Sequence, residues 1–243
     1  MSGPAQAVIL AGGRGTRLRP YTTVIPKPLM PVGEYPILEI LLRQLTHAGI
    51  REVFLAVGHM GHLLQAFFQD GQRFGLDITY SFEEAPLGTA GPIALLADRL
   101  EDDFLVLNGD LLTTLDYLKL LAAHRSTSAA ATIAVCVREV PIDFGVIEMD
   151  DRAALTRYIE KPVYRFDVSM GVNVFNMLAV RPFLRAGEYL DIPTLMTRLR
   201  ESGRLVHCFR DECYWLDIGR VDDYQAAVEI FESRRREFLP DGR

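Results

Sequence analysis

The residues from 12 to 31 read GGRGTRLRPYTTVIPKPLMP, a stretch dense in groups that can handle anions. Gly12, Gly13 and Gly15 let the backbone approach a ligand closely and turn its N–H groups toward negative charge. Arg14, Arg17, Arg19 and Lys27 set four cations in the same segment. A glycine nest with cations beside it is a polyphosphate site. A second candidate stands at Asn108-Gly109-Asp110, which follows the uninterrupted apolar run FLVL at 104–107. Packing explains a carboxylate at the tip of a buried strand poorly, whereas a metal ligand facing a cleft explains it well. Lysine usage adds a third signal. Only three of the 26 basic side chains are lysine, and two of them sit in the similar settings Pro26-Lys27-Pro28 and Glu160-Lys161-Pro162. Where a chain otherwise uses arginine, such a lysine suggests a need for a compact point charge on a flexible stem. Lys119 lies in a helical pattern and reads as part of a solvated face.

These groups need elements to hold them. The apolar run at 7–11 reads as a first strand and the period of Ile37, Leu38, Leu41, Leu42 and Leu45 as a helix capped by Gly49, so the glycine loop lies at a strand's carboxyl end, where open α/β sheets bind ligands. Residues 52–57 and 78–82 read as further strands. Between them a helix is expected to turn Leu63, Leu64, Phe67 and Phe68 inward. Gly88-Thr89-Ala90-Gly91 opens a helix running to Leu100, and this second glycine turn either extends the cleft or is an ordinary tight turn. After the strand at 104–107 come a helix at 116–124 and a strand at 130–137. This βα alternation predicts a doubly wound α/β sheet. The pattern then changes: 145–149, 155–160 and 168–175 read as short strands of a small antiparallel addition. Helices at 177–184 and 192–202, strands at 205–209 and 214–218, and a terminal helix at 221–236 follow. One domain over 1–243 is expected, with halves 1–137 and 138–243.

Bulk composition narrows the function class. A net charge of −6 and a pI near 5.4 exclude a general nucleic-acid or membrane-surface binder, so anionic ligands must be met by local cation clusters. Cys136, Cys208 and Cys213 are odd in number and widely spaced, which suggests free thiols in a reducing, cytoplasmic setting. The opening MSGPAQ has no basic region, so no secretory leader is expected, and no apolar run has the length of a membrane span. His59 and His62, without a carboxylate cluster, read as loop or cap residues rather than metal ligands.

The glycine loop fits neither a dinucleotide fingerprint, which needs glycine where Leu18 stands, nor a P-loop, which needs G-K-[ST] where this chain has Gly15-Thr16-Arg17. The longer string GGRGTRLRP with PKPLMPV resembles the sugar-phosphate nucleotidyltransferases. The likeness continues in order through PLGTAGP at 86–92, LNGD at 107–110, FGVIE at 144–148, EKP at 160–162, GVNVF at 171–175 and WLDIG at 215–219. The resemblance implies a Rossmann-like doubly wound mixed sheet with a small antiparallel sugar-binding lobe. It also implies attack of a sugar 1-phosphate on the α-phosphorus of an NTP, with Mg²⁺ as cofactor. By the same resemblance Arg17, Lys27, Asp110, Lys161 and Asp217 are catalytic, with Asp110 and Asp217 holding the metal. Leu10, Ala11, Gly12, Gly13, Arg14, Gly15, Thr16, Glu83, Pro86, Gly88 and Thr89 join Arg17, Lys27 and Asp110 around the nucleotide. Gly145, Glu160, Lys161 and Asn173 meet the sugar phosphate.

Each residue has a plainer reading. Asp217 could cap the terminal helix, and Glu160 with Lys161 could be a surface ion pair. Tyr21 and Asn173 depart from the residues many members carry. A carboxylate at Glu83 or Glu84 could accept from guanine N1–H and N2–H₂, and EEAPLGTAGP looks closest to the mannose- or heptose-1-phosphate guanylyltransferases, so GTP is favoured over dTTP, UTP, CTP or ATP. A non-catalytic sugar-nucleotide-sensing subunit is the alternative of another class, but such subunits usually lose motif charges that are all present here. No hexapeptide-repeat domain is expected, and a homodimer or higher homo-oligomer stays open.

Overall fold

The structure, a computed structural model, describes residues 6–239. The leader expectation rests mostly on residues 1–5, outside the described residues. The chain runs β1 (Gln6–Leu10), a loop with three single-turn 3₁₀ helices, β2 (Pro31–Val32), β3 (Tyr35–Pro36), α1 (Ile37–His47), β4 (Glu52–Val57), α2 (Gly61–Phe68), β5 (Asp77–Phe82), α3 (Gly91–Leu95), β6 (Asp103–Asn108), β7 (Leu111–Thr113) and α4 (Tyr117–Thr127). It continues through β8 (Ala131–Pro141), β9 (Val146–Met149), β10 (Leu155–Ile159), β11 (Val163–Asn176), α5 (Met177–Val180), α6 (Ile192–Glu201), β12 (Val206–Arg210), β13 (Trp215–Asp217) and α7 (Val221–Phe238).

Seven strands form a Rossmann-like mixed sheet in the order β12-β8-β11-β6-β1-β4-β5, in which β11 alone runs antiparallel to its neighbours. Alternation sorts its side chains into two cores. Ala7, Ile9, Leu55, Leu105 and Leu107 pack against α1, α2 and α4, while Val8, Phe54, Phe104, Val106 and Phe175 pack against α6 and the α3 and α5 turns. Both faces of the central strands are therefore apolar, and each fully buried large side chain contributes roughly 1.5–3 kcal/mol. A third cluster joins Leu18 and Met30 of the glycine loop to Leu112, Ile218 and Phe231. It seats the loop against β7 and α7. The parallel register aligns Leu10 with both Ala56 and Asn108, so the loops after β1, β4 and β6 open at one edge.

The structure corrects several expectations. In α2, Leu64 and Phe68 are buried but Leu63 and Phe67 are exposed, because a helix of this length has only one narrow inward stripe. Helix α3 stops at Leu95 rather than Leu100. The carbonyls of Ala97 and Arg99 are instead taken by the side chains of Arg181 and Gln6. The largest difference concerns 168–175, which is no part of a small addition. It belongs to the 14-residue β11, inserted in the main sheet between β6 and β8. Its inner half is buried, whereas residues 163–167 pair only with the outer end of β8 and, with the β9–β10 hairpin, form the small lobe. A register shift between Ser169 and Asn173 separates the halves, and Gly171 sits there with φ of +71°; a Cβ would lie 2.6 Å from Asn108 Nδ2. No described helix is long and apolar enough to cross a membrane. The cysteines are free thiols.

Candidate active site

Asp110 leaves the tip of β6 through Gly109, whose N–H donates to the Leu10 carbonyl at 2.9 Å. A Cβ at Gly109 would sit 3.0 Å from that same oxygen, so the close approach favours glycine. Directly after it, β7 pairs antiparallel with β13 in a register that sets Asp217 opposite Leu111. The Ile218 N–H donates to the Asp110 carbonyl at 3.1 Å. This ribbon brings together two carboxylates that the chain separates widely.

Lys27 joins them. It stands on a 3₁₀ turn of the glycine loop with its side chain 10 % exposed, its ammonium hydrogen-bonded to Asp110 Oδ2 and 3.9 Å from Asp217 Oδ1. Asp110 Oδ1 and Asp217 Oδ1 are buried atoms without a hydrogen-bond partner. Burial raises the pKa of Asp217 above the usual carboxylate value, and the negative charge of Asp110 raises it further, against the pull of Lys27 and Arg17. One lysine does not balance two orphaned oxygens, so this donor set fits a hard divalent cation. Among the described residues no third His, Cys, Asp or Glu completes a protein-only cage. Such an ion would draw its remaining ligands from water and phosphate.

A cavity ends on each carboxylate of this pair. The one ending on Asp110, about 710 Å³, is lined by Leu10, Gly12, Gly13, Arg14, Glu83, Pro86, Gly88 and Thr89, and also by Gly58, His59, Asn108 and Tyr189. Gly12 packs so closely that a Cβ would lie 2.9 Å from Glu83 Oε1 and 3.4 Å from the Gly58 nitrogen. Glu83 Oε2 accepts the Leu87 N–H at 3.0 Å, which holds the carboxylate in place, and burial raises its pKa against that hydrogen bond. The second glycine turn is part of the cleft and is firmly built. Gly88 has φ of +78°, and the Thr89 N–H and hydroxyl both meet Asp191 Oδ1, at 3.1 and 3.3 Å. The other cavity, about 590 Å³, ends on Asp217 and is lined by Arg17, Arg138, Trp215, Arg220 and Asp223. The Trp215 indole N–H is fixed by the Met170 carbonyl at 2.7 Å.

Some guanidinium groups away from the cleft bind carboxylates, as in Arg43 with Glu39, Arg165 with Glu139 and Arg235 with Glu34, whereas others, such as those of Arg152 and Arg198, have no hydrogen-bonded or ion-pair partner among the described residues. Arg14 and Arg17, which border these cavities, and Arg19, which lines a separate hollow with Thr22 and Met60, have no hydrogen-bonded or ion-pair partner among the described residues. Their charge is available to a ligand.

The structure thus gathers Arg17, Lys27, Asp110 and Asp217. Asp217 is no helix cap, since α7 is capped at Arg220, whose N–H donates to Asp223 Oδ2 at 2.8 Å. Ala11 is buried in the core and Gly15 and Thr16 lie outside the cavity walls, so their part is to shape the loop backbone; the Gly15 carbonyl accepts from the Thr22 hydroxyl at 2.7 Å. The sugar-side candidates are not joined to the cluster. Glu160 and Lys161 are exposed on the turn before β11, with no ion pair between them among the described residues, and Lys161 has φ of +44°. Gly145 lies under the Tyr158 hydroxyl in the small lobe. Asn173 is buried in the main sheet, opposite Val106, with Oδ1 unpartnered. Sequence reasoning missed Asn108, His59, Tyr189 and Arg138 as cavity walls. A signal existed for Asn108, which ends a buried strand, but none for Tyr189, which reaches the cavity from a loop far along the chain.

Comparison with known proteins gives a consistent picture. The family described as "Nucleotidyl transferase" matches residues 6–234. A UTP–glucose-1-phosphate uridylyltransferase of Synechocystis is 33 % identical over 94 % of this chain and 64 % of its own length. A mannose-1-phosphate guanyltransferase of Schizosaccharomyces pombe is 32 % identical over 97 % of this chain and 67 % of its own length. The chain therefore spans about two thirds of these relatives. A putative glucose-1-phosphate thymidylyltransferase of Bacillus anthracis shares the fold with a TM-score of 0.74 at 24 % identity, covering 93 % of this chain and 95 % of that one.

Proposed function

The chain belongs to the nucleotidyl transferase family, and from that premise we propose that it condenses a nucleoside triphosphate, GTP by preference, with a sugar 1-phosphate to give a nucleoside diphosphate sugar and pyrophosphate. The supporting observation is that one cavity ends on Asp110 and another on Asp217, with the Lys27 ammonium between the two carboxylates. A two-substrate transfer needs one chamber for each substrate and charge compensation where they touch.

An oxygen of the sugar 1-phosphate attacks the α-phosphorus in line. The bond from that phosphorus to the bridging β-phosphate oxygen breaks, and pyrophosphate departs with the electron pair. No general base is needed because the nucleophile is already an anion, so catalysis rests on alignment and on suppressing repulsion between phosphates. The N–H groups of the glycine loop bind the triphosphate, Arg17 reaches it from the wall of the cavity that ends on Asp217, and Lys27 directs its charge to the reacting centre. Asp110 and Asp217 would hold Mg²⁺, which when bound neutralises phosphate charge. The exposed ammonium of Lys161 meets the sugar phosphate from the small lobe, with Gly145, Glu160 and Asn173 as the remaining sugar-side candidates.

The base reading rests on Glu83. With Oε2 held by Leu87, Oε1 can accept from guanine N1–H or N2–H₂. Uracil N3–H is also a donor, so UTP is the competing substrate. Purified protein with Mg²⁺ is to be given each NTP with several sugar 1-phosphates while pyrophosphate release is followed. Release fastest with GTP is expected, and no release with any pair would sink the catalytic reading.

A further inference from the structure

The outer ribbon of β8 and β11 treats its two faces differently. On one, Glu139 lies opposite Arg165 and Val137 opposite Asp167, and the charges are satisfied: Arg165 Nη2 is 2.7 Å from Glu139 Oε1, and Arg210 Nε donates to Asp167 Oδ1 at 3.0 Å. On the other face Val140 lies opposite Tyr164, Arg138 opposite Phe166 and Cys136 opposite Val168. Arg138 is the one charge on that apolar face and has no hydrogen-bonded or ion-pair partner among the described residues. Together with Arg220, whose guanidinium is equally unpartnered among them, it borders the cavity that ends on Asp217.

Of the carboxylates on the same cavity, Glu139 pairs with Arg165 and Asp223 accepts the Arg220 backbone N–H, while Asp217 keeps Oδ1 unpartnered, 3.9 Å from the Lys27 ammonium. With Arg17 on the same wall given to the triphosphate, the guanidinium groups of Arg138 and Arg220 remain. Planar guanidinium forks match carboxylate and phosphate oxygens. Resting on the reading of the protein as a sugar 1-phosphate nucleotidyltransferase, we infer that this cavity selects a sugar 1-phosphate that carries a second acidic group, a carboxylate or a further phosphate, gripped by Arg138 and Arg220.

Glucose 1-phosphate, glucuronic acid 1-phosphate and glucose 1,6-bisphosphate, with their manno counterparts, separate the possibilities. Turnover with GTP and UTP and calorimetric binding are to be measured for the wild type, R138Q, R138K and R220Q. A sugar 1-phosphate with the second acidic group is expected to exceed its parent without one by about tenfold or more, the scale of one charge-assisted hydrogen bond. Which of the two doubly acidic arms leads identifies the second group. R138Q and R220Q should each bring the ratio of doubly acidic compound to parent toward one, and R138K should restore part of it. A parent that is an equal or better substrate overturns the inference. So does a ratio unchanged in R138Q, which would mean that Arg138 grips only the 1-phosphate common to all the compounds. Failure of the transferase reading is seen separately, as no pyrophosphate release with any pair, and the binding ratio then still decides the inference.

Discussion

Replacing Lys27 with methionine tests the charge arrangement at the centre of the site. The stem is nearly buried and methionine fills its volume, so K27M removes mainly the ammonium. At 3.9 Å from Asp217 Oδ1, that charge interacts with a gross energy of about 4 kcal/mol at an effective dielectric of 20. Removing one partner of a fully buried pair costs roughly 3–5 kcal/mol. Here Asp110 and Asp217 are 26 % and 45 % exposed, so solvent screening brings the expected loss to about 2 kcal/mol. For a chain of this size that corresponds to roughly 4–8 °C in Tm. A divalent ion should compensate, because it supplies the positive charge the variant lacks. Thermal melts of wild type and K27M with EDTA and then with Mg²⁺ should therefore show a larger metal-induced rise in the variant, while pyrophosphate release falls roughly 10²–10³-fold. The double variant K27M/D110N should regain stability without regaining turnover. A metal-free K27M as stable as the wild type, or an equal metal increment in both, would refute the view of two carboxylates short of positive charge.

Other perturbations probe separate parts. G88A introduces a Cβ 2.6 Å from the Leu190 carbonyl oxygen at φ of +78°, whereas G187A meets nothing within 4 Å at φ of +80°; urea titration should find G187A about 1 kcal/mol less stable than wild type and G88A lower still by at least as much again. E83Q should lower kcat/KM for GTP by about tenfold. Since burial raises the Glu83 pKa, the acid limb of the GTP profile should lie above the ordinary glutamate range, activity falling as pH drops through the raised value, and E83Q should lack that limb. His124 is buried, with Nδ1 2.8 Å from the Thr132 hydroxyl, and desolvation lowers its pKa against the pull of Asp103. The unfolded chain then binds more protons than the folded one below about pH 6.5. Stability should be flat above that pH and fall as pH drops toward the lowered value. The urea midpoint of H124Q should lose that dependence, and an unchanged slope would exclude His124 as its source.

Much of the molecule was legible from local pattern. The strands at 52–57 and 104–107 declared themselves because full burial demands continuous apolar runs, and the glycine loop because close backbone approach tolerates no side chain. Asp110 was legible for a related reason, as a carboxylate at the end of such a run. Periodicity, however, records whether a residue is buried and not which strand lies beside it. Nothing local to 168–175 distinguishes a lobe strand from one inserted antiparallel between β6 and β8, and nothing local to WLDIG reveals that β13 pairs with β7. That register alone puts Asp217 beside Asp110 and leaves their oxygens unpartnered around Lys27. The sequence by itself thus determined the alternating architecture, the phosphate-binding loop and the kinds of charge in the cleft. Only the tertiary structure decided which charges meet, which stay apart on the small lobe and which arginines remain free, because those outcomes depend on pairing between segments far apart in the chain.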